Sequence, residues 1–355
     1  MIPTKHTQQM PKIELHRHLE GAMRTETLRR FAAKKKLTAY HYQNPAQFRK
    51  HVEIGKNDKK DLLFFLSKFI NVWYSSLEDV AQVAYESVED AAKDNVLYYE
   101  MRFNPEHYAF VNNFKRDVVA RTVIESARKA QKKYKNIDVK FLFTLNRGKQ
   151  TIRDMEYMFD IAKSFNIDGL IGIDLAGDET NFPAKQFKQF FKKVKDAGLF
   201  GITIHAGECV GPFSVWDAIH YLHADRIGHG VAVSKDKKLF DYVVEHDITL
   251  EQCLTSNLQT GAVADIETHP FPKFYHGGVN ATLNTDDPSI ERITLSDDYA
   301  IAAKTFKFSI EDFKQINLNA IKASFLGFTD KEKLKERYLS AFAQFEKSIA
   351  KKRRA

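Results

Sequence analysis

The chain has 355 residues, 43% hydrophobic and 28% charged, enough to bury a large core as one α/β barrel or as two ordinary domains. Its only cysteines, Cys209 and Cys253, exclude a disulfide framework and a four-cysteine zinc site, so any metal must be held by histidine and carboxylate. The formal charge of +8 is spread over lysine-rich helical stretches such as 34–36 and 192–193 and the tail 351–354. Neither aromatic interleaving nor a nucleic-acid motif accompanies it, which makes these runs solvated helix faces and sets nucleic-acid partners aside.

Residues 1–10 lack the apolar core of a signal peptide, and no window of about 20 uncharged apolar residues occurs, so a soluble cytoplasmic protein without a membrane partner is expected. The first predicted strand leads into 12–21 and carries His16 and His18. Side chains alternate along a strand, so the two imidazoles share a face. Alone they are half a metal site, and they fit a half-buried strand with two polar positions as well.

A helical insertion is expected over about 22–94. Thr25 is placed to cap a helix at 26–32, and Asp61 a second at 62–70. Phe65 and Phe69, at i and i+4, read as core residues on a helix that can also roof a site. Further apolar strands are predicted at 96–103, 139–145, 169–175, 201–208, 226–230, 248–253 and 279–287. Helical runs follow at 117–134, 151–165, 183–197, 215–222, 235–245 and 270–276, with extra C-terminal helices over about 295–350.

Eight alternating strand–helix units imply parallel strands with right-handed crossovers, hence a single (β/α)8 TIM barrel domain spanning 1–355. A doubly wound open sheet lacks its usual sign, since no G-x-G-x-x-G follows the first strand. Barrel chemistry sits at the C-terminal strand ends. There the sequence places His16 and His18, Asn104, Gly177, His205 and Glu208, His229, Ser256–Asn257 and Asp286–Asp287. His16, His18, His205 and Asp286 offer three nitrogens and one oxygen, a shell for one zinc ion with room for water. No strand-end lysine or thiolate is present to bridge a second metal. Adjacent carboxylates such as Asp286 and Asp287 cannot both be ionised comfortably without a cation or proton between them.

The segments E-L-H-R-H-L-E-G (14–21), G-I-D-L-A-G-D-E (172–179), H-A-G-E (205–208), R-I-G-H-G (226–230) and N-T-D-D-P (284–288) resemble the signature segments of the adenosine deaminase family, in family order. The resemblance implies a zinc-dependent hydrolytic deaminase of a 6-aminopurine, with one Zn2+ per subunit on His16, His18, His205 and Asp286. It implies that Glu208 protonates ring N1, that His229 orients the attacking water and helps remove its proton, and that Asp287 bonds the nucleophile and N7. The Gly177 N–H would meet N3, with His18 and Glu20 also at the substrate.

Many nucleoside-specific members carry aspartate where this chain has Glu20, at the contact to the ribose 5′-hydroxyl. Glutamate there also occurs in adenine deaminases and in deaminases of modified adenosines such as aminodeoxyfutalosine. The segment 256–262 resembles the nucleoside-deaminating branch, which makes adenosine the first expectation, with 2′-deoxyadenosine beside it. A non-catalytic purine-binding barrel would not need Glu208 and His229 beside the metal. The His-x-Glu and Pro-Cys-x-x-Cys signature of cytidine-type deaminases is absent. Asp174 and Glu251 read as structural partners of a basic residue or as groups fixing a histidine tautomer, and Arg102 as a carboxylate partner. His223, His246, His269 and His276 read as surface or helix-terminal. No feature of the sequence sets an oligomeric state.

Overall fold

A computed structural model describes residue 2 and residues 4–354. Eight parallel strands follow one another around the sheet in chain order: β1 (Lys12–His18), β2 (Val96–Phe103), β3 (Asp138–Arg147), β4 (Leu170–Gly177), β5 (Gly201–Ala206), β6 (Arg226–His229), β7 (Thr249–Gln252) and β8 (Ala281–Leu283). Every residue of β1 and β2 is buried, as expected of parallel strands covered on both faces.

The ring closes between first and last strands by a short seam. The His18 N–H donates to the Asp286 carbonyl at 2.8 Å and the Asp286 N–H to the His16 carbonyl at 2.9 Å. Side chains extend this seam downward, because the Leu15 N–H donates to Asn284 Oδ1 at 3.0 Å and the Thr285 N–H to Glu14 Oε1 at 3.0 Å. The result is a (β/α)8 barrel. Outside the seam lies the helix Ile310–Ala323, whose Asn317 accepts from the Ile13 N–H at 2.7 Å.

Outer helices bury one stripe each. In Arg116–Lys133 the buried set Val119, Ala120, Val123, Ala127 and Ala130 recurs at three- and four-residue steps. Capping boxes start several helices, including Thr151 with Asp154 and Ser309 with Asp312. Among the described residues no helix is long and apolar enough to cross a membrane.

Three local expectations change. Thr25 is inside the helix Thr25–Lys34 and caps nothing; its hydroxyl donates to Glu53 Oε1 at 2.7 Å. Asp61 does cap, accepting from the Phe64 N–H at 2.9 Å, but the helix ends at Leu66. Five consecutive apolar residues cannot share one helical stripe. Phe65 therefore enters a small cluster with Ile54 and Ile290, while Leu62, Leu63 and Leu66 face a cavity. The helix Leu77–Lys93 packs on β2 and on Arg116–Lys133 and so belongs to the outer ring, which ends the true insertion before Leu77.

Candidate active site

The C-terminal strand ends converge on a cavity of about 980 Å³. On its floor one ligand atom each from His16, His18, His205 and Asp286 lies within 4.8 Å of the other three. Asp286 Oδ1 stands 3.2 Å from His16 Nε2 and 3.3 Å from His18 Nε2, and His18 Nε2 stands 3.1 Å from His205 Nε2. Ligands about 2.0–2.1 Å from a tetrahedral zinc are about 3.3 Å apart, so these spacings fit one ion. His16 Nε2 is buried without a hydrogen-bond partner, as suits a nitrogen that would ligate an ion.

The other atom of these ligands is held from behind. His16 Nδ1 meets Glu251 Oε2 at 2.7 Å and His205 Nδ1 meets Asp174 Oδ1 at 2.9 Å. A carboxylate behind Nδ1 keeps the proton there and turns the Nε2 lone pair inward. Ser256 Oγ donates to Asp286 Oδ2 at 2.7 Å, leaving Oδ1 for the ion. Burial pushes His18 and His205 below the usual histidine range, toward the neutral ring that binds metal.

Glu251 and Asp174 turn out to serve both expected roles at once. Besides its histidine, Glu251 pairs with Arg102 Nη2 at 2.9 Å and Arg226 Nε at 2.6 Å, while Asp174 Oδ2 stands 3.5 Å from Arg102 Nη1. Burial would raise both carboxyls, but the adjacent cations reverse this and hold Glu251 well below the usual range, as His205 and Arg102 do for Asp174. A charged column thus runs up the barrel interior to the ligands, ending below in Glu100, 2.7 Å from Arg226 Nη2.

Glu208, buried just past β5, accepts from Thr260 Oγ1 at 2.8 Å, and its Oε2 lies 3.6 Å from His229 Nε2. Burial, then the charges of Asp286 and Glu179, push its carboxyl up to about 8. The turn bearing it hangs on Glu179, which accepts from the Gly207 N–H at 3.0 Å, the Val210 N–H at 3.1 Å and Ser214 Oγ at 3.0 Å. Asp287 is buried with Oδ1 unpartnered, and burial beside Asp286 and Glu291 raises it well above the usual range. Its carboxyl occupies the space beside Gly21, where a Cβ would come within 1.8 Å of Oδ1. Gly177 ends β4 at φ +101° on the cavity wall, a conformation that favours glycine. Glu20 accepts from the Asn104 N–H at 2.8 Å, and burial pushes it up to about 7.

The cavity lining therefore brings together His18, Glu20, Gly177, His205, Glu208, His229, Asp286 and Asp287, with His16 beneath. Of the four histidines read as peripheral, His223, His246 and His276 are exposed. His269 is the correction: it is buried, because the turn at Ile266–Thr268 folds it inward beside Phe306, and its Nε2 meets Asn257 Oδ1 at 3.1 Å. The sequence places Asn257 at a strand end without a role, while Glu179, at the end of the segment 172–179, and His269 escape the sequence reading as site residues.

The family model described as "Adenosine deaminase" matches residues 11–340. The chain belongs to the adenosine deaminase family. An adenosine deaminase of Yersinia pseudotuberculosis is 36% identical over 339 residues, covering 92% of this chain and 97% of that protein. The adenosine deaminase of Klebsiella pneumoniae is 37% identical over 336 residues, with the same coverage of both. Among solved structures, the N6-mAMP deaminase of Arabidopsis superposes with a TM-score of 0.82 at 28% identity, covering 95% of this chain and 99% of that one. The buried group His16, His18, His205 and Asp286 is where this chain would hold a metal ion.

Proposed function

We propose that the protein hydrolyses adenosine, and 2′-deoxyadenosine, to inosine and ammonia, with one zinc ion per subunit on His16, His18, His205 and Asp286. One observation carries the reading: Glu208, a buried carboxyl pushed up to about 8, shares a cavity wall with the four-atom donor set of His16, His18, His205 and Asp286. When bound, zinc supplies a Lewis acid that makes hydroxide available near neutral pH.

The chain's own residues do the rest. Glu208 donates its proton to purine N1, which draws electron density from C6 and opens it to the oxygen nucleophile. His229 Nε2, 3.6 Å from Glu208 Oε2, faces the side from which that oxygen arrives. Asp287, whose carboxyl is pushed up by burial beside Asp286 and Glu291, hydrogen-bonds the nucleophile and, as a carboxyl group, the purine N7 edge. The Gly177 N–H meets N3, and Glu20 accepts from the sugar. Addition of water at C6 followed by loss of ammonia then gives the 6-oxopurine.

The names of the bacterial relatives support adenosine as the substrate. Glu20, one methylene longer than aspartate, supports a second reading in which adenine or a 5′-modified adenosine is the true substrate. A panel of adenosine, 2′-deoxyadenosine, adenine and 5′-modified adenosines separates them. Loss of ultraviolet absorbance with adenosine and not with adenine is expected; turnover of adenine alone, or of a 5′-modified adenosine alone, overturns the first reading.

A further inference from the structure

Three imidazoles at or beneath the reaction side of the cavity have two kinds of backing. His16 and His205 have carboxylates behind Nδ1, whereas His229 has the amide of Asn257, with Nδ2 3.0 Å from His229 Nδ1. The orientation of that amide is decided two steps away. Phe271 opens the helix Phe271–His276, so its N–H has no acceptor within the helix and donates instead to His269 Nδ1 at 3.1 Å. A backbone N–H can only donate, so His269 Nδ1 must be the unprotonated nitrogen.

The proton of His269 is then on Nε2, which donates to Asn257 Oδ1 at 3.1 Å. With its oxygen turned to His269, Asn257 presents its NH2 group to His229 Nδ1. An amide nitrogen only donates, so Nδ1 of His229 accepts and the ring proton sits on Nε2. Burial holds His269 down to about 3, so it stays neutral and the chain of donors does not reverse at working pH. The Gln252 amide donates to the His229 carbonyl and fixes its backbone at φ +62°.

We propose that Asn257 and His269 are positioning residues that lock His229 as the Nε2–H tautomer, so that His229 holds the attacking oxygen by donating to it and does not take up its proton. This inverts the arrangement of a histidine base, in which a carboxylate behind Nδ1 leaves a lone pair on Nε2. In the Nε2–H tautomer His229 Nε2, 3.8 Å from Asp286 Oδ2, has no lone pair to offer a metal. The proposal deepens the deaminase reading and rests on it only for the identity of the attacking oxygen.

The tautomer is read directly by nitrogen-15 NMR on histidine-labelled protein, with the His229 signals assigned by their loss in His229→Ala. A pyrrole-type Nε2 and a pyridine-type Nδ1 are expected; the reverse overturns the proposal whether or not adenosine is turned over. A wild-type protein that leaves every 6-aminopurine unchanged defeats the deaminase reading and leaves this measurement standing. Asn257→Asp places an acceptor behind Nδ1 and should flip the NMR pattern, lowering kcat by about 100-fold or more with KM within a few-fold and metal content unchanged. His269→Gln keeps an N–H donor near the Nε2 position and should retain kcat within about tenfold, whereas His269→Leu should lose about 10- to 100-fold. Equal kcat in Asn257→Asp and wild type, or a Gln variant no better than the Leu variant, would overturn the proposal.

Discussion

On the cavity floor Glu251 engages His16, Arg102, Arg226 and Thr203 within 3.2 Å and is wholly buried, whereas at the rim the side chains of Leu63 and Phe110 stand 54% and 74% exposed with no fixed partner. The floor spends charge to orient: desolvation of buried ions largely offsets their attraction, so such a column adds little stability and its value lies in where it aims the imidazoles. The rim, apolar from residues 62–69 and mixed near Glu20, His107 and Lys149, is built from short helices and turns beyond the strand ends. In the proposed mechanism the reaction is set below and the choice of molecule above.

Four measurements test that division. The largest effect belongs to Glu208→Gln, which should keep its metal and lose about 10²- to 10⁴-fold in kcat, because the amide cannot hand a proton to N1. Normal turnover would remove Glu208 from the chemistry. Glu251→Gln should weaken metal binding by about 10- to 100-fold, since His16 would lose the acceptor that fixes its tautomer. Metal titration of the stripped protein checks it, and unchanged affinity would mean the column is only scaffolding.

The pH profile of kcat/KM comes next. The Glu208 carboxyl is pushed up to about 8, so its proton-donating form is complete below that value and is lost as pH rises through it. Activity should therefore fall on the alkaline side, by about tenfold per unit, and Glu208→Gln should abolish that limb. The smallest change is expected at the rim: Glu20→Asp should shift KM among adenosine and 5′-modified adenosines by about tenfold or less while kcat on adenosine holds. A collapse of kcat would move Glu20 from recognition to chemistry.

Much of this was legible in the chain. Near-continuous apolar runs alternating with amphipathic helices specify the barrel locally, and the strand-end rule gathers His16, His18, His205 and Asp286 without any contact being known. What escaped is set by tertiary packing. His269 looks like a helix terminus in sequence, and only the turn before it and Phe306 beside it make it a buried neutral ring. Glu179 lies in an exposed-looking run, Asp178-Glu179-Thr180-Asn181, yet the turn after β5 folds onto it and makes it an anchor. The apolar stretch at 62–70 predicts one helix, but facing both a cluster and a cavity, it cannot remain one.

The seam between β1 and β8 has a consequence for assembly. A chain growing from its N-terminus carries two imidazoles from the outset, gains the third only past residue 205 and the carboxylate only past residue 286. The backbone of that last ligand is also what fastens the final strand to the first. With the ion held as proposed, its capture would coincide with closing of the ring, and an incomplete nascent chain would lack the finished donor set. Removing the ion from the mature protein should in turn loosen the first and last strands before the middle of the barrel, a pattern hydrogen exchange would read strand by strand.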